Sequence, residues 1–103
     1  MRRYEVSFRP RAEADLFDLY QYLARQAGRA IAGRYVHRIE AACMALERLP
    51  ERGTRRDDIR PGLRVMGFER RATIMFQIMG NEVVIVRIFH GGRDYERILR
   101  GQP

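Results

Sequence analysis

The sequence contains no lysine and no tryptophan, and it has a single cysteine, Cys43. All 20 basic residues are therefore arginines. The guanidinium group stays protonated, so it can clamp a phosphate or carboxylate but cannot act as a general base at neutral pH. One cysteine excludes an intramolecular disulfide and a cysteine-based metal site. Because Cys43 lies among apolar residues in a helical pattern, we predict a small core residue rather than a nucleophile.

Long apolar runs and a signal peptide are also missing. No run of about 18 apolar residues occurs, so we expect no membrane-spanning helix and a cytoplasmic protein without membrane contacts. The sequence has no zinc-ligand spacing, no phosphate-binding P-loop and no nucleophile–base motif. We therefore expect neither a metal nor a cofactor.

What the sequence does contain indicates one globular domain, residues 1–103. Hydrophobic residues make up 46% of the chain and charged residues 32%, which is typical of a folded protein. The formal net charge is +7. An excess of this size favours a polyanionic or acidic partner, although general solubility would explain it too.

The stretch from Leu63 to Tyr95 predicts three consecutive strands and a basic tail. Apolar residues alternate with more polar ones in its middle run, which indicates a half-buried strand. Gly80-Asn81 then predicts a two-residue hairpin turn. The following run, Val83 to Phe89, is nearly all β-branched or aromatic, as in a strand covered on both sides.

Arg87 interrupts this last run, and its environment depends on the register of the hairpin. A two-residue turn pairs Met79 with Glu82 and places Arg87 opposite Ile74, whereas a longer loop or a bulge is expected to place it opposite Thr73. Because a buried unpaired arginine is costly, we expect a bulge or an acidic partner.

The first half of the chain predicts a strand and a helical hairpin. Tyr4 to Arg9 alternates as a strand, and Pro10 suits the first turn of a helix that ends near Gly28. A second helix is predicted from Ala30 to Leu49. The apolar stripes of the two helices should form core: Leu16, Leu19, Tyr20, Leu23 and Ala27, then Ile31, Tyr35, Ile39, Ala42, Leu46 and Leu49. Residues 51–62 read as a charged loop.

Several short motifs occur in a fixed order and at fitting distances. They are Ala14-Asp15-Leu16, Leu49-Pro50 with Gly53, Ile59-Arg60-Pro61-Gly62-Leu63-Arg64, and Val86-Arg87-Ile88-Phe89-His90-Gly91-Gly92-Arg93-Asp94. In this order the chain resembles the ParE branch of the RelE/ParE toxins of bacterial toxin–antitoxin modules, from Tyr4 to about Leu99. The resemblance implies a two-layer α+β fold, in which an antiparallel β-sheet has its first strand beside its last and carries the helical hairpin on one face.

The resemblance also implies a function. ParE-like toxins inhibit DNA gyrase and are neutralised by a ParD-like antitoxin, and a contact with DNA within the gyrase complex stays open. RelE-like relatives are instead ribosome-dependent mRNA endoribonucleases. A gyrase inhibitor needs a shaped basic surface and no catalytic group, so the first reading does not require an enzyme.

Candidate site residues follow from these two readings. For target binding we predict the polar and aromatic cluster of the last strand and tail, where two glycines let the backbone leave the strand: Arg87, His90, Arg93, Asp94, Tyr95 and Arg97. For antitoxin binding, by a helix in a groove or an added strand, we predict Arg64, Arg70 and Arg71. In the nuclease reading, acid–base groups and phosphate clamps would be Glu69, His90, Tyr95, Arg64 and Arg87.

These residues also have plain structural alternatives. His90 at a strand end commonly makes a structural hydrogen bond, Asp94 could cap the last helical turn, and the Tyr95 ring could pack over the sheet edge. The nuclease reading is further weakened because the lysines that many RelE-like nucleases carry are absent.

Overall fold

The elements follow the predicted order of strand, helical hairpin and three-strand meander, and a short helix comes after them. The structure is a computed structural model that describes residues 3–91 and 95–101, without the side chains of residues 95 and 96. The helices are α1 (Pro10–Ala27), α2 (Arg29–Met44) and α3 (Tyr95–Arg100). The strands are β1 (Glu5–Phe8), β2 (Thr54–Arg55), β3 (Leu63–Phe68), β4 (Ala72–Met79) and β5 (Glu82–His90).

The helical hairpin forms as predicted and has a single residue at its corner. Pro10 occupies the first turn of α1, where its missing N–H is not needed. Gly28 separates the helices with φ of 94°, and its N–H donates to the Ala24 carbonyl at 3.0 Å. The second helix is shorter than predicted, because a 3-10 turn, Ala45–Glu47, follows it.

The strands form one mixed sheet in the order β1-β5-β4-β3-β2. As expected, the first strand lies beside the last, but the expectation of a wholly antiparallel sheet is wrong, because β1 runs parallel to β5. The cause is the path of α2, which returns the chain to the start of β1, where the Tyr4 N–H donates to the Glu47 carbonyl at 2.9 Å. The first strand of the meander, β3, runs in the same direction as β1. Because β4 is antiparallel to both of its neighbours, the third strand, β5, also runs in that direction.

The β4–β5 hairpin contains both the predicted turn and a bulge. Met79 pairs with Glu82 across Gly80-Asn81, as predicted. The register then shifts, so that Phe76 pairs with Ile85 but Met75 pairs with Arg87. The extra residue, Val86, belongs to β5, and for this reason Arg87 lies opposite Met75 rather than opposite either of the two predicted residues.

Two hydrophobic clusters lie on opposite faces of the sheet. The larger joins the helical hairpin to one face and includes Leu16, Leu19, Tyr35, Ile39, Leu46, Ile74, Phe76, Val83, Ile85 and Ile88. The smaller lies on the other face, where Leu63, Met75 and Phe89 meet Leu99 of α3. The hairpin thus covers one face as expected, but α3 covers part of the other, so the core does not lie wholly upstream of the tail.

The predicted core stripes are only partly buried. Cys43 is fully buried in the larger cluster, as predicted, and burial raises the pKa of its thiol to about 12. In contrast, Ile31 is 50% exposed and Leu49 is 64% exposed, and Ala27 is exposed as well, so the core predictions for these three residues were wrong. No helix in the described part of the chain is long and apolar enough to cross a membrane.

Candidate functional site

Three cavities meet at His90, the last residue of β5. One of about 280 Å³ lies between the helical hairpin and the β3–β4 turn and is lined by Leu23, Ile31, Arg34, Tyr35, Arg38, Arg71 and His90. A second, of about 510 Å³, shares three of these residues and adds Tyr22, Gln26, Ala27, Arg70 and Gly91. We refer to these two together as the His90 cleft. The third, of about 400 Å³, extends from His90 and Tyr22 along α1 to Asp15 and Asp18.

Aromatic rings from three elements surround the cleft. The His90 ring lies 6.2 Å from the Tyr22 ring of α1 and 6.0 Å from the Tyr35 ring of α2, measured between centroids. Tyr35 also meets Phe68 edge-on at 5.8 Å. These separations lie in the range over which aromatic pairs attract, so the rings hold α1, α2 and the end of β5 together.

An ion pair closes one side of the cleft. Glu69 accepts two hydrogen bonds from Arg38, at 2.9 Å and 3.0 Å, and these bonds lower the pKa of its carboxyl group. The Arg38 guanidinium lies 5.3 Å from the centre of the Tyr35 ring. Glu69 and Arg70 both adopt positive φ, 48° and 58°, a conformation that costs non-glycine residues energy and is concentrated at functional sites.

The Tyr35 hydroxyl is buried without a hydrogen-bond partner among the residues that the structure describes. The residue is only 6% exposed. Burial is the main cause that raises its pKa, and Glu69 acts in the same direction, while Arg71 and Arg38 oppose it. The hydroxyl therefore stays protonated at neutral pH.

His90 is half-buried, and burial lowers the pKa of its imidazole below 6.5, with Arg71 adding to the effect. At neutral pH the ring is therefore uncharged. A neutral ring between two tyrosines can accept or donate one hydrogen bond, and it leaves the positive charge of the cleft to the arginines.

We expect the shifted pKa of His90 to make stability depend on pH. Below pH 6.5 the unfolded chain binds the proton first, so the free energy of unfolding should fall as the pH drops from 6.5 to the folded pKa, and then level off. Urea unfolding at pH 7.5, 6.5 and 5.5 measures this (pH values spanning roughly one unit on each side of a histidine titration). The slope should disappear in His90→Gln and persist in His37→Gln, which alters an exposed histidine of α2. An unchanged slope in His90→Gln would contradict the prediction.

The structure brings some of the predicted site residues together and separates others. His90, Arg70 and Arg71 line the cleft, and Glu69 borders it through Arg38. Arg64 lies near the far end of β3, four residues before Phe68, or roughly 13 Å along the strand at about 3.3 Å per residue. Its guanidinium donates to the Arg52 carbonyl at 3.4 Å.

Arg87 is held away from the cleft in a buried ion pair. It donates to both carboxylate oxygens of Asp15, at 2.8 Å and 3.1 Å, and its guanidinium lies 4.5 Å from the centre of the Phe89 ring. The side chain is 7% exposed. Asp15 is the acidic partner expected for a buried arginine, and the ion pair links β5 to α1.

Several residues of the predicted target surface lie partly or wholly outside the residues that the structure describes. Arg93 and Asp94 lie outside the described residues, as does the side chain of Tyr95, whose backbone begins α3. Arg97 is exposed on α3. Among the described residues, no group of three histidine, cysteine or carboxylate side chains is placed to hold a metal ion.

The sequence did not identify several of the aromatic and basic residues that line the cleft. Tyr35 belongs to an apolar helical stripe, so its ring was correctly predicted as core, but the pattern gives no sign of an unpartnered hydroxyl. No motif or apolar stripe in the sequence included Tyr22, Arg34 or Arg38.

The fold occurs in solved toxin–antitoxin structures. The toxin–antitoxin complex RelBE2 from Mycobacterium tuberculosis matches with a TM-score of 0.63 at 21% identity, over 85% of this chain and 98% of that chain. The chromosomal ParDE TA system from P. aeruginosa matches with a TM-score of 0.75 at 26% identity, over 85% of this chain and 96% of that one. The molecule thus has the RelE/ParE-like α+β fold.

Sequence comparison assigns the family within this fold. Residues 6–95 match the family described as the ParE toxin of type II toxin-antitoxin system, parDE. Toxin ParE3 of Caulobacter vibrioides is 31% identical over 77 residues, which cover 75% of this chain and 76% of that protein. The chain belongs to the ParE toxin family of type II toxin–antitoxin systems, which confirms the resemblance seen in the sequence.

Proposed function

We propose that this ParE-family toxin inhibits DNA gyrase in the cytoplasm and is neutralised by a cognate ParD-like antitoxin. The observation that carries the proposal is the family match over residues 6–95. The P. aeruginosa neighbour belongs to a chromosomal ParDE system, which supports the antitoxin partner. The net charge of +7 suits acidic or nucleic-acid partners, including DNA held within a gyrase complex.

The geometry favours binding over catalysis. An RNA-cleaving site needs its acid, base and phosphate clamps around one reacting phosphate. Here Arg64 lies at the far end of β3, and Arg87 is paired with Asp15 in a buried bridge. Glu69 is held by Arg38. Of the five residues proposed for a nuclease, Arg87 and Glu69 are therefore held in ion pairs, and Arg64 lies away from His90.

The proposed target surface is the end of β5 and the tail: His90, Arg93, Asp94, Tyr95 and Arg97. The burial of Arg87 removes it from this surface. The antitoxin surface is proposed at Arg64, Arg70 and Arg71, of which Arg70 and Arg71 are exposed at the β3–β4 turn. Guanidinium groups there suit the carboxylates of an acidic antitoxin segment.

We expect the double variant Arg93→Ala/Arg97→Ala to lose gyrase inhibition while it keeps its fold. His90→Gln should cause a smaller loss, because inhibition by binding requires no proton transfer. The measurement is a supercoiling assay with purified gyrase, run beside a ribosome-dependent mRNA cleavage assay. If the protein were a nuclease, His90→Gln would instead lower cleavage by about a hundredfold or more.

A control variant that loses the same charge tests whether inhibition depends on the arginines of the tail or only on the net charge. Arg48→Ala/Arg52→Ala removes two exposed arginines that follow α2 in the chain, and this variant should inhibit gyrase as the unaltered chain does. A tail variant that is folded, still binds antitoxin and inhibits gyrase fully would show that the target surface lies elsewhere.

A further inference from the structure

The Arg38 guanidinium already binds a carboxylate, that of Glu69. Its Nε and one of its Nη atoms donate to different oxygens of Glu69, at 2.9 Å and 3.0 Å. Two parallel bonds of this kind are the preferred geometry between an arginine and a carboxylate. The contact therefore shows which chemical group fits Arg38 at this place on the surface.

This ion pair is open to a competing carboxylate. The side chains of Arg38 and Glu69 are 50% and 42% exposed, and exposed ion pairs contribute little to stability. A carboxylate from another molecule can reach the same guanidinium from solvent. Because it would replace a group of identical chemistry, the exchange would leave no donor of Arg38 without an acceptor.

The turn that carries Glu69 is strained. Its Arg71 N–H donates to the Phe68 carbonyl at 3.0 Å, and the two central residues, Glu69 and Arg70, have φ of 48° and 58°. Turns with two positive φ angles prefer Asn-Gly, because the left-handed conformation costs other residues energy. Among the residues that the structure describes, every other positive φ belongs to a glycine. Release of Glu69 from Arg38 would allow this turn to relax, which favours the exchange.

Two more arginines lie beside the ion pair. Arg34 lies one turn before Arg38 on α2, and both line the 280 Å³ cavity together with Arg71. Arg38 and, more weakly, Arg71 lower the pKa of the Glu69 carboxyl group, so Arg71 also lies near the bound carboxylate. Within the part of the chain that the structure describes, neither Arg34 nor Arg71 forms an ion pair. Three neighbouring guanidinium groups match a segment with several carboxylates better than a single small anion.

We infer that Glu69 occupies Arg38 in the free toxin and is displaced by a carboxylate of an acidic partner segment, which then spans Arg34, Arg38 and Arg71. Arg38 is thus a partner contact that the sequence-based antitoxin surface did not include, and Glu69 is an internal competitor for it. That the partner is the antitoxin rests on the proposed function, whereas the exchange itself does not.

Calorimetry on the full-length chain tests the exchange, with a hexaglutamate peptide as the acidic probe. The salt concentration is about 150 mM, at which exposed charges more than about 8 Å apart are largely screened. Glu69→Gln keeps the size of the side chain but removes the competing charge, and we expect it to bind hexaglutamate about fivefold more tightly. Glu51→Gln removes an exposed carboxylate outside the cleft and should bind the probe like the unaltered chain.

Arg38→Gln distinguishes exchange from simple repulsion between Glu69 and the probe. If the probe takes the place of Glu69 on Arg38, the gain from Glu69→Gln should shrink to less than about twofold when Arg38→Gln is also present, because only screened repulsion is then relieved. Arg48→Gln removes an equal charge outside the cleft and should leave the fivefold gain intact. Equal gains with and without Arg38 would show that Glu69 acts by repulsion alone.

Amide hydrogen exchange reports on the turn itself. In the unaltered chain the Arg71 N–H should exchange faster once hexaglutamate is bound, since release of Glu69 loosens the turn. In Glu69→Gln, which has already lost the ion pair, the probe should cause no such increase. The inference is overturned if hexaglutamate does not bind, if it leaves the exchange of the Arg71 N–H unchanged or slower, or if inorganic phosphate binds as tightly as hexaglutamate. The assay contains neither gyrase nor antitoxin, so these outcomes are separate from those of the supercoiling assay.

Discussion

Replacing Asp15 with alanine should destabilise the protein by about 3–5 kcal/mol, the cost of breaking a buried ion pair from one side. The change leaves the Arg87 guanidinium buried without this carboxylate, and it also removes the acceptor of the Ile88 N–H, which now donates to Asp15 at 2.9 Å. Beyond Phe8, β1 no longer pairs with β5. At this edge of β5, the Asp15 carboxylate therefore takes the place of a neighbouring strand as the acceptor of the Ile88 N–H. Urea denaturation at pH 7 measures the effect.

Two further variants isolate the ion pair. Asp18→Ala removes an exposed carboxylate one turn along the same helix and should change the free energy of unfolding by no more than about 0.5 kcal/mol. Asp15→Ala combined with Arg87→Met removes both charges and should recover much of the lost stability, because apolar replacements of buried pairs are often neutral. A double variant as unstable as Asp15→Ala alone would mean that packing, rather than the unpaired charge, causes the loss.

Gly53→Ala should cost roughly 2–5 kcal/mol, from a left-handed backbone at about 1–2 kcal/mol and overpacking at about 1–3 kcal/mol. Gly53 has a φ of 77°, and an added Cβ would lie 2.5 Å from the Val65 carbonyl oxygen. That oxygen belongs to β3, where Val65 pairs with Thr54 of β2. The methyl group would therefore push β2 away from the sheet, which thermal denaturation would detect.

Other glycines separate the two causes. Gly62 also has a positive φ, 81°, but an added Cβ would meet nothing within 4 Å, so Gly62→Ala should cost only the backbone part, about 1–2 kcal/mol. Gly33 lies in α2 with open space around it, and Gly33→Ala should stabilise the helix by about 1 kcal/mol. Equal losses at Gly53 and Gly62 would show that the contact with Val65 does not matter.

The sequence was sufficient for features that depend on neighbouring residues. Alternation and turn chemistry predicted β4, β5 and the two-residue turn between them, and helical periodicity predicted the hairpin. The two-residue strand β2 was missed, because Thr54–Arg55 has no period of its own and forms only by pairing with β3. The parallel direction of β1 was missed for a similar reason, since it depends on the path of α2 through space.

The candidate site was less predictable than the fold. The tail motif led to His90, and the basic net charge together with the family resemblance led to Arg70 and Arg71. The Asp15–Arg87 bridge joins residues 72 apart in the chain, and no local pattern specifies such a pair. Similarly, periodicity predicted that the Tyr35 ring would be buried, but whether its hydroxyl finds a partner depends on the surrounding elements.

The parallel pairing of β1 with β5 also has a consequence for the order of folding. Ser7 donates a hydrogen bond to Glu82, 75 residues later, so this contact closes a very long loop and should form late. We expect the β3–β4–β5 meander to assemble first, because its strands are adjacent in the chain. Val6→Ala should then accelerate unfolding and leave the folding rate nearly unchanged, which stopped-flow kinetics can measure.

A ribosome-bound chain that has not yet exposed β5 would hold β1 and the helices without the strand they pack on. Such a nascent toxin should have no His90 cleft until β5 has left the ribosome.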